Sequence, residues 1–138
     1  MRSPASPVSA DPRAERGSSP VEFVLVGALL TALTLAVLQL ALAIYVRNVV
    51  HDAAVEGAHR AALADASPSE GAERTAEIIG RAIGPRFAEE VSAGESRVLG
   101  HPTAVVRVRT TLPVIGLLGI PFGWEVEAHA PMESFEDG

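Results

Sequence analysis

The sequence contains no cysteine. No disulfide can staple the fold, and thiolate metal sites and thiol catalysis are excluded, while redox compartment stays open. Lysine is missing too, so all 11 basic side chains are arginine. They do not cluster, which leaves neither a phosphate cradle nor the basic stripe that nucleic-acid binding requires. The G-x-S-x-G elbow, the P-loop, H-E-x-x-H and the dinucleotide fingerprint are all absent. The four histidines are dispersed, and none stands with a serine and an aspartate in a recognisable catalytic pattern. The expectation is a protein that is not an enzyme, with no catalytic residues, cofactor, metal or small-molecule substrate, and no nucleic-acid partner. The longest absence is of charge: none occurs between Phe23 and Val46.

That run, FVLVGALLTALTLAVLQLALAIYV, has one strong polar group, Gln39, and no proline. As a helix it is about 36 Å long, more than the roughly 30 Å of bilayer hydrocarbon. Tyr45 lies where an amphipathic ring meets the headgroups, and Arg47 closes the span. A cleaved secretory signal is the competing reading, since Arg13 and Arg16 precede the run and Ala41-Leu42-Ala43 resembles a cleavage site. Signal h-regions, however, are only about 7–15 residues. The run is therefore read as a retained single-pass membrane anchor. Within it, Ala32, Ala36 and Ala43 flank Gln39 and make a helix-packing face with one hydrogen-bonding group.

Charge is uneven along the chain. Residues 1–46 are neutral, and the whole net charge of −6 falls on residues 47–138. The proline- and serine-rich leader, residues 1–17, has almost no large apolar residue and is expected to be disordered. Arg13 and Arg16 favour a cytoplasmic N-terminus, with residues 18–46 as junction and transmembrane helix and 47–138 as an extracytoplasmic domain.

The junction reads Arg16-Gly17-Ser18-Ser19-Pro20-Val21-Glu22-Phe23. A carboxylate at the mouth of an apolar helix is costly unless satisfied, and two readings satisfy it. In one, Ser19 caps the helix, Pro20 is its first residue and Glu22 closes an S-x-x-E box, as Ser67-Pro68-Ser69-Glu70 does again before a later helix. In the other, a peptidase cuts after Gly17, Ser18 becomes the mature N-terminus and Glu22 its fifth residue.

Junction and span together resemble the TadE-like family of pilus assembly proteins. The family pattern is R-G-x-x-x-V-E-F, then a leucine-rich span, a tyrosine near its end, and a helix with D-A-A-x-E-G-A-R. The matching positions are Arg16-Gly17, Val21-Glu22-Phe23, Tyr45, and Asp52-Ala53-Ala54 through Glu56-Gly57-Ala58 to Arg60. A weaker likeness extends to Ala130-Pro131-Met132-Glu133. Pro20, Ser18 and Phe23 depart from the usual residues. The resemblance implies a bacterial plasma-membrane, minor-pseudopilin-like component of a tight-adherence pilus or secretion system. Its partners would be other pilin-like or pilus-assembly subunits, together with a prepilin peptidase acting at Gly17, Ser18, Glu22 and Phe23. The alternative is a membrane-tethered extracytoplasmic binding or accessory module unrelated to pili.

Residues 48–66 are alanine-rich and predict an outward continuation of the membrane helix. Val50, Ala54, Ala58, Ala61 and Ala62 make a narrow stripe that permits close approach of another helix. Glu56-x-x-His59 is a lone copy of a motif that a di-metal site needs twice, so it is read as a solvated face. A second helix is predicted from Pro68 to about Phe87, with Ala72, Ala76, Ile79, Ile83 and Phe87 inward. Strands are expected at Arg97–Leu99, Thr103–Thr111 and Trp124–His129, the last two pairing Arg107 and Arg109 with Glu125 and Glu127.

Between those two strands lies LPVIGLLGIPFGW, apolar but broken by Pro and Gly. It is a buried hairpin loop, a partner patch at Ile115, Leu117, Leu118, Ile120 and Phe122, or a loop at the membrane surface. The expected fold class is α+β: a long N-terminal membrane-spanning helix continuing into about two helices and two to three antiparallel strands.

Overall fold

A computed structural model describes residues 2–7, 12–112 and 120–133. The chain divides into two units, Met1–Leu38 and Gln39–Gly138. Helix α1, Pro12–Ala62, contributes to both. It begins earlier than the span, taking in part of the leader that composition marks as disordered. Ser19 and Pro20 consequently lie inside α1 rather than at its start, and the S-x-x-E box there is not a cap. The second box does cap: Ser67 Oγ accepts from Glu70 N at the head of α2, Pro68–Ala82.

In the first unit every side chain from Gly17 to Leu38 is exposed. In the second, the same helix buries Val46, Val50, Ala53, Ala54, Ala58, Ala61 and Ala62 at 3–4 residue spacing. The expected alanine stripe thus faces the core, with Val46 and Ala53 added to it. Helix α2 runs antiparallel to this stretch, Arg60 facing Glu70, Gly57 facing Gly71 and Ala53 facing Thr75.

The crossing is tight because two glycines meet. A Cβ on Gly57 would overlap Thr75 Oγ1 and come within 2.6 Å of Gly71 O, and one on Gly71 would lie 2.5 Å from Gly57 O. Thr75 Oγ1 is 2.9 Å from Gly71 O and 3.2 Å from Ala53 O, so its one proton is shared within α2 and across to α1. The deepest positions of α2 are Gly71, Thr75 and Ile79. Ala72 and Ala76, which periodicity alone puts inward, are only half-buried.

Helix α2 stops at Ala82 instead of reaching Phe87. Gly84 takes φ +110°, and Pro85 opens a short 3-10 turn, Pro85–Phe87. A residue before proline disfavours the helical region, which ends the helix here.

Three antiparallel strands follow in the order β1 (Glu90–Val98), β2 (His101–Leu112) and β3 (Ile120–Pro131). The first is far longer than Arg97–Leu99, and Leu99 belongs to the turn. Leu99 and Gly100 have φ of 50° and 85°, the two positive values of a two-residue hairpin turn that normally selects Asn-Gly. Prolines sit near strand ends, Pro102 at the second residue of β2 and Pro131 at the last of β3, where a missing N–H is tolerated. One sheet face, carrying Ala104, Val106, Val108, Val126, Ala128 and Ala130, joins the α1–α2 core cluster. The other carries Arg107, Arg109, Glu125 and Glu127 into solvent.

Candidate functional site

At the junction, Gly17, Ser18, Glu22 and Phe23 are all exposed, and Phe23 keeps 80% of its surface. A Cβ placed on Gly17 would meet nothing within 4 Å, so packing does not require glycine there. Proline inside a helix removes one backbone bond and clashes with the preceding turn. Pro20 is in that position within α1.

The span beyond is apolar all round, and none of its most hydrophobic window is buried. Leu25, Leu29, Leu33, Val37 and Leu40 stand more than half exposed. A continuous apolar surface of this kind is the signature of lipid contact rather than of a core helix. Its two threonines fit that solvent, because Thr31 Oγ1 donates to Gly27 O and Thr34 Oγ1 to Leu30 O, both at 2.8 Å. Each hydroxyl is satisfied within the helix, as hydrocarbon demands. One helix in the described residues is long and apolar enough to cross a membrane, which is the pattern of a single-pass anchor.

The four expected packing residues divide. Ala32 and Ala36, in the first unit, are exposed; Gln39 and Ala43, in the second, are half-buried. Gln39 Oε1 is shielded from solvent and has no hydrogen-bond partner. Of the partner-contact residues, Ile115, Leu117 and Leu118 lie outside the described residues. Ile120 and Phe122 belong to β3 by backbone.

Two features go beyond the sequence reading. The Arg47 guanidinium lies over the Trp124 indole, 5.0 Å from its centre. This contact joins the residue that closes the span to the start of the regular β3 alternation, and no local pattern links them. The polar sheet face holds an ion-pair ladder: Arg107 Nε donates to Glu127 at 2.6 Å, and Arg109 Nε to Glu125 at 2.8 Å with Glu90 3.8 Å away. This is the cross-strand arrangement that alternation predicts, extended to a third strand. The hydrogen bond from Arg107 holds the Glu127 carboxyl below its usual range, partly opposed by desolvation, and His129 adds to the lowering from 2.9 Å. Arg107 and Arg109 are correspondingly raised by the hydrogen bonds to their glutamates. Both arginines are engaged by glutamates, and with Glu90 the ladder holds three carboxylates against two guanidinium groups. On α1, Glu56 lies 3.9 Å from Arg74, and His51 3.6 Å from Asp52; the E-x-x-H face is a solvated one.

Junction, span and the first packed turns of the domain all fall in α1, and one family model covers them together. Residues 17–59 match the TadE-like family. The match to this family model, described as TadE-like protein, begins at Gly17 and ends at His59, three residues before α1 ends. No curated protein and no solved structure matches the chain. The TadE-like segment thus includes the junction glycine, Glu22, the span and Gly57, and suggests a component related to pilus assembly.

Proposed function

We propose that the chain is a structural, non-enzymatic component, minor-pseudopilin-like, of a bacterial tight-adherence pilus or secretion system. The TadE-like match over residues 17–59 carries this reading, because it starts at the residue after which a prepilin peptidase would cut. Arg13 and Arg16 keep the leader cytoplasmic and the α+β domain is outside, where it contacts other subunits. The span anchors the subunit and then packs beside other pilin-like helices, with Ala32, Ala36, Gln39 and Ala43 on the contact face.

Pro20 supports cleavage after Gly17. In the longer helix its ring occupies an interior position, a placement worth about 3 kcal/mol against it. With Ser18 as the first residue, Pro20 is third, in the turn whose N–H groups have no helical partner in any case. Processing converts an unfavourable proline into a neutral one.

A membrane-tethered accessory module is the second reading. It is favoured by the family match leaving α2 and the whole sheet uncovered. The measurement that decides is the mass of the mature chain from cells with an active prepilin peptidase. The expected N-terminus is Ser18, with Gly17→Val retaining the leader; full-length wild-type protein in those cells would remove the pseudopilin reading.

A further inference from the structure

Strand β1 lies at one edge of the three-stranded sheet, so one side of its backbone has no strand beside it. The turn decides which residues present their backbone there. Leu99 and Gly100 form a two-residue turn between Val98 and His101, and such a turn is closed by a hydrogen-bonded pair. Hydrogen-bonded and non-hydrogen-bonded pairs alternate along an antiparallel ladder. Val98, Ser96 and Gly94 therefore bond to β2, while Arg97, Glu95 and Ala93 turn their N–H and C=O groups to the free edge. An edge of this kind is a template for another strand unless something blocks it. No proline interrupts β1, and Glu95 through Leu99 are all exposed.

The two charges on this edge are opposite in sign and two residues apart. Side chains alternate across a strand, so Glu95 and Arg97 stand on the same face. Among the described residues neither has an ion-pair partner. A second copy of β1, running antiparallel about a two-fold axis at Ser96, sets Glu95 opposite Arg97 and Arg97 opposite Glu95. Both are positions whose backbone groups face the edge, so each cross-strand ion pair coincides with a hydrogen-bonded pair. Centring the axis on Glu95 or on Arg97 instead brings like charges together. On the opposite face, the same register sets Val98 of each copy against Gly94 of the other. Val98 is 44% exposed, and over Gly94 lies a depression of about 200 Å³ lined also by Ser92, Ser96 and Val105. A Cβ on Gly94 would meet nothing within 4 Å, so the space is open to a side chain from outside. Leu99, 95% exposed with φ of 50°, comes to the level of Ala93, which is half-buried. An exposed leucine held at positive φ is costly in an isolated chain, and a partner that covers it offsets that cost.

We propose that the free edge of β1 is a self-pairing surface whose occupant is a second copy of this chain, joined antiparallel with Ser96 facing Ser96. The interface is isologous, each contact occurring twice, and it closes at two copies. It doubles the sheet without disturbing the face that packs on α1 and α2. Backbone hydrogen bonds supply the adhesion, while the Glu95–Arg97 pairs and the fit of Val98 over Gly94 fix the register. The pairing uses β1 alone, so it stands or falls separately from the membrane anchor and from the pilus reading.

Because the chain has no native cysteine, disulfide trapping reads the pairing directly. At the two-fold, Ser96 faces its own counterpart in a non-hydrogen-bonded pair, with Cα atoms about 4.5 Å apart, within the span of a disulfide. Ser92 is the control, exposed on the same face but with its counterpart about 27 Å away along the strands. The full chain, carrying Ser96→Cys or Ser92→Cys, is oxidised mildly in detergent micelles. Ser96→Cys should give a covalent dimer, and Ser92→Cys should not. Adding Glu95→Arg or Arg97→Glu to Ser96→Cys should cut the dimer yield about tenfold, since like charges then face each other twice in the interface. The double exchange, Glu95→Arg with Arg97→Glu, should restore the yield, which excludes misfolding as the cause of the loss. Equal cross-linking of Ser96→Cys and Ser92→Cys overturns the proposal. So does a yield indifferent to the single reversals, or a double exchange that stays unpaired.

Discussion

At Gly57 a hydrogen occupies the space where any other residue would place a carbon on Gly71 O and Thr75 Oγ1. The sequence showed Gly57 only as part of a family pattern, and glycine is a poor helix former beside the alanines around it. Its role is steric: it lets α2 approach α1 closely enough for Thr75 to reach Ala53 O. Gly57→Ala should gain helix propensity yet lose stability, by about 1–3 kcal/mol, because the obstructing atoms include backbone. Gly27→Ala is the matched control, since a Cβ there meets nothing within 4 Å. Thermal unfolding of the two variants in micelles should show a lowered midpoint only for Gly57→Ala. Equal midpoints would mean that the two helices can separate without loss.

At the scale of elements, legibility followed regularity. The ladder of Arg107, Arg109, Glu125 and Glu127 was readable because β2 and β3 alternate strictly, and it pairs in the expected antiparallel register. Strand β1 was not readable over most of its length. Glu90–Val98 is an edge strand containing Ser92, Gly94, Glu95 and Ser96, residues with weak strand preference, and only pairing with β2 makes it a strand. Ile79 and Phe87 are buried as periodicity predicts, but Gly71 and Thr75 take the inward places expected of Ala72 and Ala76, because the crossing needs a glycine against Gly57 and a hydroxyl within reach of Ala53 O. The ladder has a pH signature. Glu127 is lowered from an ordinary value of 4.5 mainly by the hydrogen bond from Arg107. A depressed carboxyl contributes stability that is fully present above the unfolded value and is lost as pH falls through the folded one. Glu127→Gln should therefore melt slightly below wild type at neutral pH, with the gap closing as pH drops below the usual carboxylate range. A gap independent of pH would assign the effect to packing instead. Arg107 and Arg109, raised from an already high value, add nothing to this window.

For the whole molecule, the apolar anchor helix was plain in the sequence because lipid imposes length and polarity on any span. The Arg47–Trp124 contact was not, since it joins residues 77 apart that only the packed sheet brings together. Orientation is open to a clean test because the chain has no cysteine of its own. With Ser6→Cys and Ser92→Cys, both exposed positions, each made in the Gly17→Val chain that keeps its leader, a membrane-impermeant thiol reagent on intact cells should label only Ser92→Cys. The reverse pattern would place the domain in the cytoplasm and end the pilin-like mechanism. Glu22 decides what the junction is for. Helix α1 passes through Ser19 and Pro20, so a cap at Ser19 does not explain the carboxylate in the uncut chain. After a cut at Gly17, Glu22 is the fifth residue, and its charge can neutralise the new α-amino group of Ser18 on an adjacent subunit. An unpaired ammonium in a low-dielectric helix bundle costs several kcal/mol, so the charge itself, and not hydrogen bonding alone, is required. Glu22→Gln should insert into the membrane normally yet fail to co-purify with its pilus partners, while Ser19→Ala changes little. If Glu22→Gln retains those partners at wild-type yield, the carboxylate is a feature of one helix and has no part in joining subunits.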